Sequence, residues 1–156
     1  MSPDANHVYT AVGFRGVYLV DGFELLEIFE RDAASGDLTA VQNMVNRVEF
    51  INPEGEVEGL YGTTSIVISP DGRHLYTAAH LEDAVSVFSR EATTGELTFV
   101  QVIKDGKSGA NGLEGAVSAI VSTDGRHVYV TAFEDDALTV FARDEATGSL
   151  AFVEDL

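Results

Sequence analysis

Three loop segments hold the side chains that could do chemistry together. His80, Glu82 and Asp83 follow one short apolar run, Glu134, Asp135 and Asp136 follow another, and Lys107, Asn111 and Glu114 fall in the connection between them. Imidazole titrates near neutral pH, so His80 beside two carboxylates is the single candidate for a general base, and no catalytic motif surrounds it. Carboxylates gathered from several loops could hold a hard cation such as calcium through oxygen ligands, or raise one another's pKa. Glu82, Asp83, Glu114, Glu134, Asp135 and Asp136 are therefore the candidate ligand-binding residues. Their spacing is not that of an EF-hand loop, so no metal ligand is assigned, and ordinary solvated carboxylates are the plainer alternative. No serine stands in a nucleophile-elbow context. The glycine-rich DGKSGANGLEG, Asp105 to Gly115, lacks the Gly-Lys-Ser/Thr ending of a phosphate loop and reads as a connection. Without cysteine there is no thiolate nucleophile, thiolate metal site or disulfide.

The elements that must position these loops repeat. SPDGRHLYTAAHLEDAVSVFSREATTGELTFV, from Ser69, recurs 53 residues later from Ser122 as STDGRHVYVTAFEDDALTVFARDEATGSLAFV, with about half of the aligned positions identical. A first copy starts at Ser2 with SPDANHVYTAV and resumes at Phe29 with FERDAASGDLTAVQ; eight residues, around the run Gly16 to Val20, are inserted between these parts, and six more before Ser69. In the third copy, β-branched and aromatic runs predict strands at Ala116 to Ser122, His127 to Ala132, Ala137 to Arg143 and Ser149 to Val153. Thr123-Asp124-Gly125, matching Ser69-Pro70-Asp71-Gly72 in the second copy, supplies the first turn, and Thr147-Gly148 the last.

Four short antiparallel strands per repeat, with no helical period, predict an all-β fold of about three four-stranded β-propeller blades. The blades are expected at residues 1–58, 59–111 and 112–156, the first lacking its innermost strand, since Met1 stands where Ile68 and Val121 stand in the other copies. The repeated aromatics Tyr76, Phe88, Phe99, Tyr129, Phe141 and Phe152 are expected to pack between blades, and His7, His74 and His127, recurring at one repeat position, to pack or hydrogen-bond. His80 breaks the repeat, for its counterpart is Phe133. Known propellers typically use four to eight blades, so three cannot close a ring. Self-association is expected, with a homodimer of six blades favoured and a trimer as the alternative.

The formal net charge of −17, from 26 acidic and 9 basic residues, opposes binding to phosphate backbones and anionic lipid, so neither nucleic acid nor membrane is an expected partner. No run approaches the roughly 18 apolar residues of a spanning helix, and MSPDANH has neither the basic flank nor the apolar stretch of a signal peptide, which leaves the compartment unassigned.

The segments SPDGRHLYTAA and STDGRHVYVTA, the VFSREATTGELTFVQ and VFARDEATGSLAFVE hairpins, and the G-L-x-G steps at Gly59 to Gly62 and Gly112 to Gly115 resemble the YVTN-type repeats of lactonase-like β-propellers. That group includes propeller-type 6-phosphogluconolactonases. The resemblance implies blade architecture throughout most of the chain and, in lactonase members, a seven-bladed ring. Its motifs are turn and packing residues, so no catalytic residue is carried over. The function expected from the sequence is a non-catalytic propeller module for self-assembly and for ligand or protein binding. The alternative is a lactone hydrolase active only in a completed ring.

Overall fold

A computed structural model of the chain describes residues 1–14, 23–47, 58–107 and 109–156. The inserted run Gly16 to Val20 lies outside them. Eleven strands, and no helix, are present among the described residues. β1 (His7–Phe14), β2 (Phe23–Arg31) and β3 (Leu38–Arg47) form one sheet. β4 (Thr63–Ile68), β5 (His74–Ala79), β6 (Ala84–Arg90) and β7 (Leu97–Lys104) form the second. The third contains β8 (Ala116–Val121), β9 (His127–Ala132), β10 (Ala137–Arg143) and β11 (Leu150–Asp155). Every sheet is an antiparallel meander, and among the described residues the first has three strands, with none in the place of β4 and β8. The last strand begins one residue later than expected and extends to Asp155.

Each pair of neighbouring sheets encloses its own apolar cluster. Between the first and second lie Tyr9, Leu26, Ile28, Leu60, Leu75, Phe88 and Leu97. Between the second and third lie Tyr76, Val85, Val87, Leu113, Val128, Val130 and Phe141, among others. The second blade is thus held by burial on both faces, which is why its strands read as nearly continuous apolar runs. Tyr76, Phe88 and Phe141 pack between blades, as expected; Phe99 and Phe152 meet Phe88 and Phe141 edge-on within the same blade, at ring separations of 5.9 and 6.2 Å, and Phe152 also packs against the second cluster. Phe99 is exposed, so its packing is intra-blade rather than between blades.

A buried arginine locks each pair of blades at the end of the sheets that carries the Pro-Asp-Gly turns. Arg143, the last residue of β10, donates from Nε to the Tyr76 hydroxyl (2.7 Å), from Nη1 to the Gly125 carbonyl (2.8 Å), and from Nη2 to Asp71 (2.8 Å) and to Nδ1 of His74 (2.7 Å). Tyr76 donates onward to the Gly148 carbonyl at 3.0 Å. Arg90 repeats the arrangement one blade earlier with Tyr9, Gly72, Asp4 and His7, and Tyr9 donates to Gly95. Guanidinium has no acceptor, so both imidazoles accept at Nδ1 and carry their proton on Nε2. A second clasp joins outer strands: the Gln101 side chain accepts the Leu150 N–H (2.9 Å) and donates to its carbonyl (3.2 Å), as Gln42 does with Leu97.

Candidate functional site

The opposite end of the sheets gathers the β5–β6 and β9–β10 loops with the connection from β7 to β8. Backbone bonds tie them together: Asp105 donates to Asp83 (2.9 Å), His80 to Gly62 (2.9 Å) and Phe133 to Gly115 (2.9 Å). The repeat therefore brings the sequence-predicted loops to one rim. Positive φ does part of this work, since Asp83 and Asp136 both sit at φ 51° in the turns that lead into β6 and β10. Gly115, at φ 72°, passes so close to Glu134 that an added Cβ would lie 2.8 Å from its Cγ.

Most of these carboxylates are occupied by the backbone. Asp83 accepts the Gly115 N–H (2.8 Å), Asp135 the Glu114 N–H (2.8 Å), Asp105 the Leu113 N–H (3.0 Å) and Glu82 the Tyr61 N–H (2.9 Å). Glu82 also pairs with Lys104 at 3.1 Å. Asp83 staples the β5–β6 loop to the connection that enters the next blade, Asp135 and Glu82 each tie a loop to the connection entering their own blade, and Asp105 braces the β7–β8 connection against itself, roles the sequence reading did not assign. Lys104 and Asp105 were missed as well, because neither stands in a repeated motif; their only signal is proximity to Lys107 in the connection.

Glu114 is different. Its carboxyl is solvent-facing, and Asp135 foremost, then desolvation, Glu134, Asp83 and Asp105, push its pKa above the ordinary 4.5. Five carboxylates thus share one electrostatic neighbourhood. Asp136 is not among Glu114's perturbers, and Glu82 is drawn aside by Lys104. Among the described residues, no group of three or more acidic or histidine side chains is arranged to hold a metal ion. Lys107 and Asn111 contribute backbone atoms: Lys107 closes a turn through Lys104 and Ala110, and the Asn111 carbonyl accepts from Thr139. His80 has a buried Nδ1 with no hydrogen-bond partner among the described residues. An unpaired buried ring nitrogen costs free energy unless something meets it, which distinguishes His80 from His7 and His74 in their arginine clasps.

The sequence profile of the family described as lactonase, seven-bladed β-propeller, matches residues 49–156. The chain belongs to this lactonase family. Solved propellers align with it along nearly its whole length. A periplasmic gluconolactonase of Pseudomonas aeruginosa is 23% identical, with a TM-score of 0.72, over 99% of this chain and 38% of its own. A candidate 6-phosphogluconolactonase of Bacteroides uniformis is 21% identical with a TM-score of 0.69, again over 99% and 38%. A protein from Lactobacillus plantarum gives 20% and 0.66, over 87% and 38%. These likenesses establish the propeller fold. The chain spans 38% of the length of each of the three. No curated protein sequence matches it. The family match does not support the expectation of a non-catalytic module, which rested on three blades against the seven of lactonase members, and it favours the alternative reading.

Proposed function

We propose that this chain contributes its blades to a lactone-hydrolysing propeller whose site is completed when further blades close the ring. The observation that carries this reading is the family match over residues 49–156. The acidic rim agrees with it. Hydrolysis of a lactone adds water oxygen to the ring carbonyl carbon, breaks the ring C–O bond, and leaves a carboxylate and a hydroxyl. A group on the rim must take a proton from the attacking water and another must reach the departing ring oxygen. Glu114, whose pKa its neighbours raise from the ordinary 4.5, and His80, the one histidine outside the repeat, are the groups of this rim we assign to those tasks.

The assembled protein should open a sugar δ-lactone faster than buffer alone in a pH-stat assay. Glu114→Gln or His80→Ala should lower kcat/KM by at least about 100-fold if either transfers a proton. Hydrolysis at the buffer rate by a fully assembled protein would overturn the proposal.

A further inference from the structure

We infer that the two open blade faces of the chain are complementary halves of one junction, and that a second copy of this chain, docked head to tail, fills them. The inference does not depend on lactone chemistry. Two junctions inside the chain show what each face supplies. The trailing face gives an Asp, a His, a Tyr and a Gln; the leading face gives an Arg, a Gly carbonyl and the backbone of a Leu.

Among the described residues, nothing is docked on the trailing half that blade three carries. Asp124, His127 and Tyr129 occupy the positions of Asp71, His74 and Tyr76, yet His127 and Tyr129 are half-buried where His74 and Tyr76 are buried. Ile120 and Val153 are 59% and 51% exposed, whereas their counterparts Val67 and Val100 pack into the cluster between blades two and three. Blade one carries the leading half. Arg31 ends β2 as Arg90 ends β6 and Arg143 ends β10. Gly36 has φ 82° like Gly95 and Gly148, but a Cβ there meets nothing within 4 Å, whereas at Gly95 and Gly148 it would strike the rings of His7 and His74. Leu38 is 50% exposed, against 3% for Leu97 and 5% for Leu150.

The faces therefore match in charge and in hydrogen-bond sense, each exposes apolar side chains, and they belong to opposite ends of the same molecule. Such a contact is heterologous and closes into a ring if the rotation allows. One residue departs from the pattern: Glu154 replaces the clasping Gln, so it can accept the Leu38 N–H but cannot donate to the Leu38 carbonyl.

Light scattering after gel filtration should give the wild type a mass of at least twice the 16.7 kDa of one chain at micromolar concentration. Arg31→Glu and Asp124→Lys should each weaken association at least about 30-fold while keeping the circular dichroism of the folded chain, because neither side chain is fully buried in a single copy. Mixing these two variants should restore a two-chain species, since one junction retains both native halves. Glu154→Gln should tighten association about fivefold. A monomeric wild type, or an assembly indifferent to both charge reversals, would overturn the inference and assign the faces to some other occupant.

Discussion

At the scale of single residues, one side-chain type has opposite weights at equivalent positions. The Arg143 guanidinium is buried and bonded to four groups on blades two and three, so truncating it removes four hydrogen bonds at once, while Asp71 keeps those from Ser69 and Arg73 and Tyr76 keeps the one to Gly148. Hydrogen bonds to a charged group are worth about 1.5–3 kcal/mol each, so losing the set costs about 3 kcal/mol or more. Arg143→Ala should therefore lower the free energy of unfolding in urea by about that amount, while Arg31→Ala in the monomeric chain should stay within about 0.5 kcal/mol of wild type. Equal losses at the two positions would show that the clasp does not carry the difference. Burial, only partly offset by Arg143, drives the Tyr76 pKa up to about 12, so its hydroxyl stays protonated and keeps donating to Gly148 at any pH the fold tolerates.

The blade hairpin, as an element, is a copied device whose setting changes what it can bear. β2, β6 and β10 each shift register at the same step, between Ile28 and Phe29, Val87 and Phe88, and Val140 and Phe141. The shift places an aromatic on the blade face and the following turn under the neighbouring histidine. Gly148 needs its positive φ and also lies against the His74 ring, whereas Gly36 needs only the φ. Alanine at Gly36 should cost about 1 kcal/mol of backbone strain in the monomer. At Gly148, overpacking against His74 should raise the loss to about 3 kcal/mol. Urea titrations of the two variants compare them directly, and equal values would place no weight on the ring contact. In the assembled protein Gly36→Ala should move toward the Gly148 value, because His127 of the second copy then covers it.

The molecule as a whole carries a charge of −17, and its acid response has two opposing parts. Protonating exposed carboxylates relieves self-repulsion and favours the folded form. The clasps act the other way. Burial foremost, then the Arg143 charge, lowers the His74 pKa below its ordinary 6.5. The unfolded chain therefore takes up a proton there before the folded one, and the contribution of His74, complete above about pH 6.5, is lost as pH falls below it. Asp71 resists ionisation through burial, but hydrogen bonds from Ser69, Arg143 and the Arg73 N–H prevail and hold it at about 2. Asp4, hydrogen-bonded first of all by Ser2, is also held at about 2. Their stabilisation is complete above the ordinary 3.8 and lost as pH falls from there toward 2. The advantage of wild type over His74→Gln, which cancels the common charge effect, should shrink between pH 7 and pH 5; a constant difference would contradict the assignment.

The sequence by itself determined the blades. Strand period, Pro-Asp-Gly and Thr-Gly turns and near-identical copies are local properties, and β9 and β10 lie where those runs predict them. The three strands described in the first sheet were equally legible, because each copy of a repeat can be laid against the others. The recurrence of His7 and His74 was visible, but not the partner they serve: Arg90 and Arg143 come from the next blade, and only stacking brings them within hydrogen-bond reach. The acidic loops could be placed at one end from topology. That Asp83, Asp105 and Asp135 spend their oxygens on backbone N–H groups, while Glu114 stays in their field, follows from where the connection from β7 to β8 runs. Chemistry between loops depends on distances across a blade boundary, and those distances are set by the packing of whole sheets rather than by any stretch of chain.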